Sequence, residues 1–222
     1  MDNITGPGDE LFKPRGDADR LRVGVLISGS GTNLQALIDA IDAHELDAKI
    51  AVVISNKPDA FGLERARKAG IPAVYVDRAA YTTISAYNHA LTEALKEHAV
   101  ELVVMAGYMR LLGQEVLSAY PHCVMNLHPA LLPAFAGASG IRDAFEHGVK
   151  VTGVTVHFAD EVFDRGPIIA QEPVRIAEDD TIATLEAKIH EVEHRLIVEA
   201  VRLFSEGRLE IDGRRVHVLP AR

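Results

Sequence analysis

Cysteine is almost absent: Cys123 is the only one in the chain. A lone thiol makes no internal disulfide, which fits a reducing compartment and points to the cytoplasm. The histidines lack zinc-ligand spacing, so no metal is expected. Positive charge is in deficit, with 23 Lys and Arg against 32 Asp and Glu and a net charge of −9. A sequence-independent grip on nucleic acid needs the opposite balance, so no nucleic-acid partner is expected. A local basic pocket for one small phosphate stays open. Long apolar runs are missing too. None approaches the roughly 20 residues that cross a bilayer, so no membrane partner is expected. Residues 1–20 are polar, contain Gly and Pro, and lack the apolar stretch of a secretory signal. They read as a disordered tail. No internal repeat or low-complexity tract interrupts the rest.

What remains is a chain of 222 residues, 48% hydrophobic and 25% charged, enough for one sizeable core spanning residues 21–222. Short apolar runs at 21–28, 48–55, 73–76, 101–106 and 122–127 read as buried strands. Between them, residues 33–44, 61–69, 83–98 and 114–120 show helical signals; in the first, Leu34, Leu37, Ile38 and Ile41 share one face. Alternating strands and helices imply an α/β fold with a doubly wound, mostly parallel sheet. The pattern changes after Pro129. Residues 130–140 are rich in Ala, Gly and Pro and read as a loop, and 141–147 as a brief helix. Residues 151–159 and 168–176 predict an antiparallel hairpin added to the sheet. Residues 181–204 form the longest helix, and 209–211 with 216–219 a closing hairpin.

Open α/β sheets bind ligands beyond the carboxyl ends of their parallel strands, and the polar segments there merit a chemical reading. Gly29-Ser30-Gly31-Thr32-Asn33 joins the first strand to the first helix. Its glycines permit a sharp turn, and the helix start offers free N–H groups to a phosphate. Equally, Thr32 or Asn33 could be a simple N-cap. The turn completes neither a dinucleotide fingerprint nor a Walker motif. In Asn126-Leu127-His128-Pro129, Asn126 and His128 lie two apart at a strand end, so their side chains share a face. An amide N–H suits an oxyanion, and an imidazole moves protons near neutral pH. With no adjacent nucleophile, the pair suits transfer to an amine or water. Cys123 lies within the apparent strand and reads as buried filler. Asp164 sits in the turn at 160–167, where carboxylates are usually solvated or capping. Brought beside His128, it would favour the imidazolium form. His157 reads as structural or substrate-facing.

In order, GSGTNLQAL, ISNKPDAFGLERARKAGIP, MAGYMRLL, NLHPALLP and HFADEVFDRGPII resemble the phosphoribosylglycinamide formyltransferases, folate-dependent enzymes of purine synthesis. The resemblance spans about residues 22–204 and implies a Rossmann-like formyltransferase fold. It also implies transfer of a formyl group from 10-formyltetrahydrofolate, a cosubstrate, to the amine of glycinamide ribonucleotide. Asn126 and protonated His128 would stabilise the tetrahedral oxyanion, and Asp164, through water, would support that protonation. Gly31, Thr32, Asn33 and Glu193 would hold the ribonucleotide. Met109, Arg110, Leu111 and Leu112, with Asp160, Glu161, Val162, Phe163 and Asp164, would form the folate pocket. Two departures stand out. The family's Pro-Gly-x-His is replaced by Phe135-Ala136-Gly137-Ala138-Ser139, which leaves the shape of that loop open. Ile84 stands where some members place an arginine for the folate tail, leaving Arg78 or Arg110 for that task.

The Asn-x-His-Pro segment and the later turn are shared with methionyl-tRNA formyltransferases and formyltetrahydrofolate deformylases. The former would add a basic C-terminal domain and the latter an N-terminal regulatory one; neither pattern is expected here. A catalytically silent folate- or nucleotide-binding protein would not require Asn126, His128 and Asp164 together. Partners are therefore expected to be small molecules, and a homodimer is left open.

Overall fold

The structure, a computed structural model, describes residues 2–3 and 20–221. The expected tail at 1–20 falls mostly outside the described residues; within it, β1 (Asp2–Asn3) pairs antiparallel with a C-terminal strand. Five parallel strands form the centre: β2 (Leu21–Ile27), β3 (Ala48–Ser55), β4 (Ala73–Tyr75), β5 (Leu102–Met105) and β6 (Val124–His128). In space they run β6-β5-β2-β3-β4. All of β5 and nearly all of β2 and β3 are buried, as a sheet covered on both faces requires.

The helices are α1 (Thr32–Asp42), α2 (Phe61–Lys68), α3 (Ile84–Glu97), α4 (Gln114–Ala119), α5 (Gly140–His147) and α6 (Ile182–Ser205), with a 3-10 turn at Arg78–Ala80. The chain winds outward from β2 to β4, then returns to β5 on the other side of β2. Right-handed crossovers then place α1 and α2 on one face and α3 and α4 on the other. The pairing of α1 with α6 and of α3 with α4 agrees. The reversal between β2 and β5 opens a crevice where the 29–33 and 106–112 loops diverge.

The expected hairpin is present. β7 (Val151–Phe158) pairs antiparallel with β6, and β8 (Ile168–Arg175) with β7. β9 (Leu209–Asp212) and β10 (Arg215–Val218) close the sheet, with β10 touching β8 through Arg215 and Ile168. One boundary moved. Residue 122 was expected to open a strand, but His122 is a turn residue with φ 56°. The ladder instead runs on to His128, which pairs with Thr155; the second neighbour extends the strand. Helix α6 starts with a reciprocal cap between Thr181 and Thr184. Its buried stripe includes Leu185, Ile189, Leu196 and Ala200, and Glu193 lies within that stripe. No described helix is long and apolar enough to cross a membrane.

Candidate active site

Period-two geometry on two neighbouring strands builds the centre of the site. Asn126 faces His157 and His128 faces Thr155 across the β6–β7 ladder, so four polar side chains share one face of the sheet. Thr155 is fully buried. Its hydroxyl donates to the Ala130 carbonyl (2.7 Å) and accepts from the Leu132 amide (3.1 Å), which pins the chain leaving Pro129.

The turn after β7 brings Asp164 onto this face. Its backbone is left-handed, with φ 54°. Gly166 permits the return of the chain, since a Cβ there would lie 1.7 Å from the Phe158 carbonyl oxygen. Asp164 Oδ1 accepts from Asn126 Nδ2 at 3.2 Å, and Oδ2 lies 3.5 Å from His128 Nδ1. Burial pushes this carboxyl up, but its His157 contact, the Gly137 amide (2.8 Å) and the nearby histidines outweigh that and hold it below the usual range. His157 Nδ1 donates to the Phe158 carbonyl (2.9 Å), which leaves Nε2 to accept from Asn126 at 3.1 Å. The Asn126 amide is therefore oriented by two acceptors.

His128 Nε2 meets the Phe135 carbonyl at 2.8 Å. Both ring nitrogens thus lie near oxygen atoms, Asp164 Oδ2 and the Phe135 carbonyl. The loop that departs from the family pattern is anchored here through the Phe135 C=O and the Gly137 N–H, with an edge-to-face contact between Phe135 and His147 (5.7 Å). Backbone groups make these bonds, so they do not depend on the absent proline and histidine.

A cavity of about 550 Å³ opens in front of this cluster. Gly31, Thr32, Asn33 and Glu193 line it, and so do Asn126, His128 and Asp164. The N-terminus of α1 carries no side-chain cap, so neither Thr32 nor Asn33 fills the capping role left open by the sequence. Gly31 adopts φ 69°, and a Cβ there would sit 2.7 Å from the Gly62 Cα. Asn33 instead turns to Glu193 Oε2 (3.3 Å), which also receives His190 Nδ1 (2.7 Å). Glu193 is buried, and its other oxygen has no hydrogen-bond partner among the described residues. Its bond to Glu193 raises the His190 pKa. Lys57 and Arg142 also line the cavity and bring positive charge to it.

A smaller pocket adjoins, lined by Leu111, Leu112, Asp160, Val162, Phe163 and Asp164, together with Asn126 and His157. Met109 borders the larger cavity. Two expected folate residues lie apart: Glu161 lines neither space, and Arg110 lies over the Tyr87 ring. Cys123 is buried before β6, and burial pushes its thiol up to about 11, which excludes an activated nucleophile. Among the described residues no group of three or more His, Cys, Asp or Glu side chains is placed so that it could hold a metal ion.

Sequence reasoning undervalued His157 and missed Ser28. His157 could have been found as a polar residue in an apolar strand, opposite Asn126 once the hairpin register is drawn. Ser28 is buried at the end of β2. Its amide donates to the Gly107 carbonyl (3.1 Å), and its hydroxyl accepts from the Met109 amide (2.9 Å) and donates to Asn56 Oδ1 (2.7 Å).

The comparisons identify the fold, a doubly wound sheet with an added antiparallel hairpin. Residues 21–201 match the Formyl transferase family, and the chain belongs to it. Within that family its place is among the phosphoribosylglycinamide formyltransferases. The Bacillus subtilis phosphoribosylglycinamide formyltransferase is 42% identical over 174 residues, covering 78% of this chain and 89% of that protein. The trifunctional purine biosynthetic protein adenosine-3 of Chironomus tentans is 44% identical over 195 residues; the match covers 87% of this chain but 14% of that longer protein. The crystal structure of glycinamide ribonucleotide transformylase 1 from Symbiobacterium toebii superposes with a TM-score of 0.89 at 52% identity, covering 90% of this chain and 95% of the other.

Proposed function

We propose that the chain transfers the formyl group of 10-formyltetrahydrofolate to the amine of glycinamide ribonucleotide. The products are formylglycinamide ribonucleotide and tetrahydrofolate, in de novo purine biosynthesis. The observation that carries this reading is the Asn126–Asp164–His128 cluster in the wall of a cavity that the uncapped start of α1 also lines. A phosphate suits that helix start, where free N–H groups and the positive end of the dipole converge. Lys57 and Arg142 reinforce it. Glu193, held through Oε2 by Asn33 and His190, keeps its second oxygen for a ribose hydroxyl. Leu111, Leu112, Val162 and Phe163 supply apolar walls for the folate ring system.

The amine nitrogen attacks the formyl carbon, and the carbonyl electrons move onto oxygen. Asn126 and protonated His128 meet that charge. Both N–H groups of Asn126 are engaged; the one on His157 is weaker than the one on the Asp164 carboxylate and passes to the oxyanion. One such donor is worth about 10²- to 10³-fold in turnover. Collapse breaks the formyl carbon–N10 bond, the amine loses a proton, and N10 gains one. Asp164, ionised beside His128, holds the imidazolium and relays the proton. The reaction uses small molecules and no metal, and takes place in the cytoplasm.

The test mixes pure protein with both substrates. Tetrahydrofolate formation that requires the ribonucleotide supports transfer. Formate released without the ribonucleotide would assign a deformylase instead.

A further inference from the structure

The segment that closes over His128 and Asp164 is irregular between Pro129 and α5. Phe135 adopts φ 52°, a backbone that a residue with a side chain keeps only when its surroundings impose it. Within the segment, the Ala134 amide reaches the Leu131 carbonyl at 3.0 Å. Yet the same segment delivers the Phe135 carbonyl to His128 and the Gly137 amide to Asp164. Its shape has to be set from outside.

A row of three side chains sets it. His128 pairs with Thr155 across β6 and β7, and Thr155 pairs with Gln171 across β7 and β8. Residues paired in this way stand side by side on one face of a sheet. Gln171 Nε2 donates to the Leu132 carbonyl (2.9 Å) and to the Thr155 hydroxyl (2.9 Å), and its two N–H bonds allow both. Thr155 passes its own proton to the Ala130 carbonyl and accepts the Leu132 amide. One donor and two acceptor sites are then all engaged on that hydroxyl. Both backbone groups of Leu132 are held, and the chain enters the Phe135 turn from a fixed point. Gln171 itself is exposed on β8 and lines neither the large cavity nor the smaller pocket beside it.

We infer that Gln171 is a positioning residue for the reaction. It acts through Thr155 and Leu132 to hold the Phe135 carbonyl against His128 and the Gly137 amide against Asp164. It touches no substrate, so its effect falls on kcat and not on binding. The inference rests on the formyl-transfer reading for its kinetic consequence and on geometry alone for its effect on His128.

The test uses Gln171→Met, which keeps the length of the side chain and removes the donor, and Gln171→Glu, which keeps the shape and sets a carboxylate against the Leu132 carbonyl. Gln171→Lys returns an N–H donor at similar reach. The neighbouring Glu172→Gln is the control: Glu172 points to the other face, where Arg195 of α6 holds it at 2.8 and 2.6 Å. Its loss loosens β8 without touching residues 130–132. Gln171→Met and Gln171→Glu should lower kcat by about tenfold to a hundredfold while KM for both substrates stays near wild type. Gln171→Lys should recover most of that loss, and Glu172→Gln should keep the wild-type kcat. Nitrogen NMR of labelled histidine should show the His128 Nε2 signal displaced in Gln171→Met and unmoved in Glu172→Gln. A wild-type kcat in Gln171→Met, or an equal loss in Glu172→Gln, overturns the inference and leaves the formyl-transfer reading intact. A wild-type protein that transfers no formyl group overturns that reading instead. The His128 signal then decides the inference by itself: unmoved in Gln171→Met, it overturns it.

Discussion

Asp164 occupies its position at φ 54°, a region that costs a non-glycine residue on the order of 1 kcal/mol. Asparagine tolerates the same backbone, so Asp164→Asn removes the charge without moving the turn. Turnover should drop by roughly 10²- to 10⁴-fold while the ribonucleotide KM stays near wild type; steady-state kinetics checks both. Normal turnover in this variant would disprove the assigned role. The depressed pKa of this carboxyl also has a sign. Its stabilising contribution is complete above the ordinary carboxylate value and disappears as pH falls through the lower folded value. Thermal denaturation should therefore show the wild type losing more stability than Asp164→Asn below about pH 4, with no such difference between pH 5 and 8. His157→Ala removes the partner that, with Asp164, orients the Asn126 amide, and should lower kcat about tenfold. At this scale the sequence revealed side chains and concealed main chain. Asn126 and His128 were readable from period-two spacing, whereas the Phe135 carbonyl and the Gly137 amide carry no residue signature.

Elements were easier to read where burial is simple. The parallel strands are short apolar runs because helices cover both faces, and hydrophobic patterning locates them directly. The end of β6 was harder, because pairing with β7 extends it by tertiary contact. Glu193 offers an intermediate case: a charge inside the apolar stripe of α6 is visible in the sequence, but only the packing of α6 on α1 shows that it meets Asn33. The turn before α1 is fixed by sterics. Gly31→Ala imposes a side chain at φ 69° and against the Gly62 Cα, so it should destabilise the fold by about 1 kcal/mol or more and raise the ribonucleotide KM. Denaturant titration and steady-state kinetics measure the two effects.

For the whole molecule, a net charge of −9 coexists with a cavity wall that carries Lys57, Arg142 and His190. An anion is thus attracted locally by a protein that repels it at long range. Binding to the folded state alone links occupancy to stability. Ribonucleotide at a hundred times its Kd should add about 2.7 kcal/mol, a rise of roughly 5–10 °C in Tm for a chain of this size. Glu193→Ala at the same ligand concentration should show a much smaller rise. A thermal scan with and without ligand reads this directly, and an equal rise in both proteins would remove Glu193 from the binding site.

Ser28 ties the ends of three strands together: it precedes the 29–33 turn, carries the Met109 amide and reaches Asn56. The two substrates would therefore bind on loops that share one hydroxyl. Their affinities should then be reciprocal: whatever factor the ribonucleotide adds to folate binding, folate must add to the ribonucleotide. Calorimetry with an unreactive folate analogue should give the same factor in either order of addition. In Ser28→Ala that factor should collapse toward one while each ligand still binds alone. An unchanged factor would mean that the two loops respond to their ligands independently.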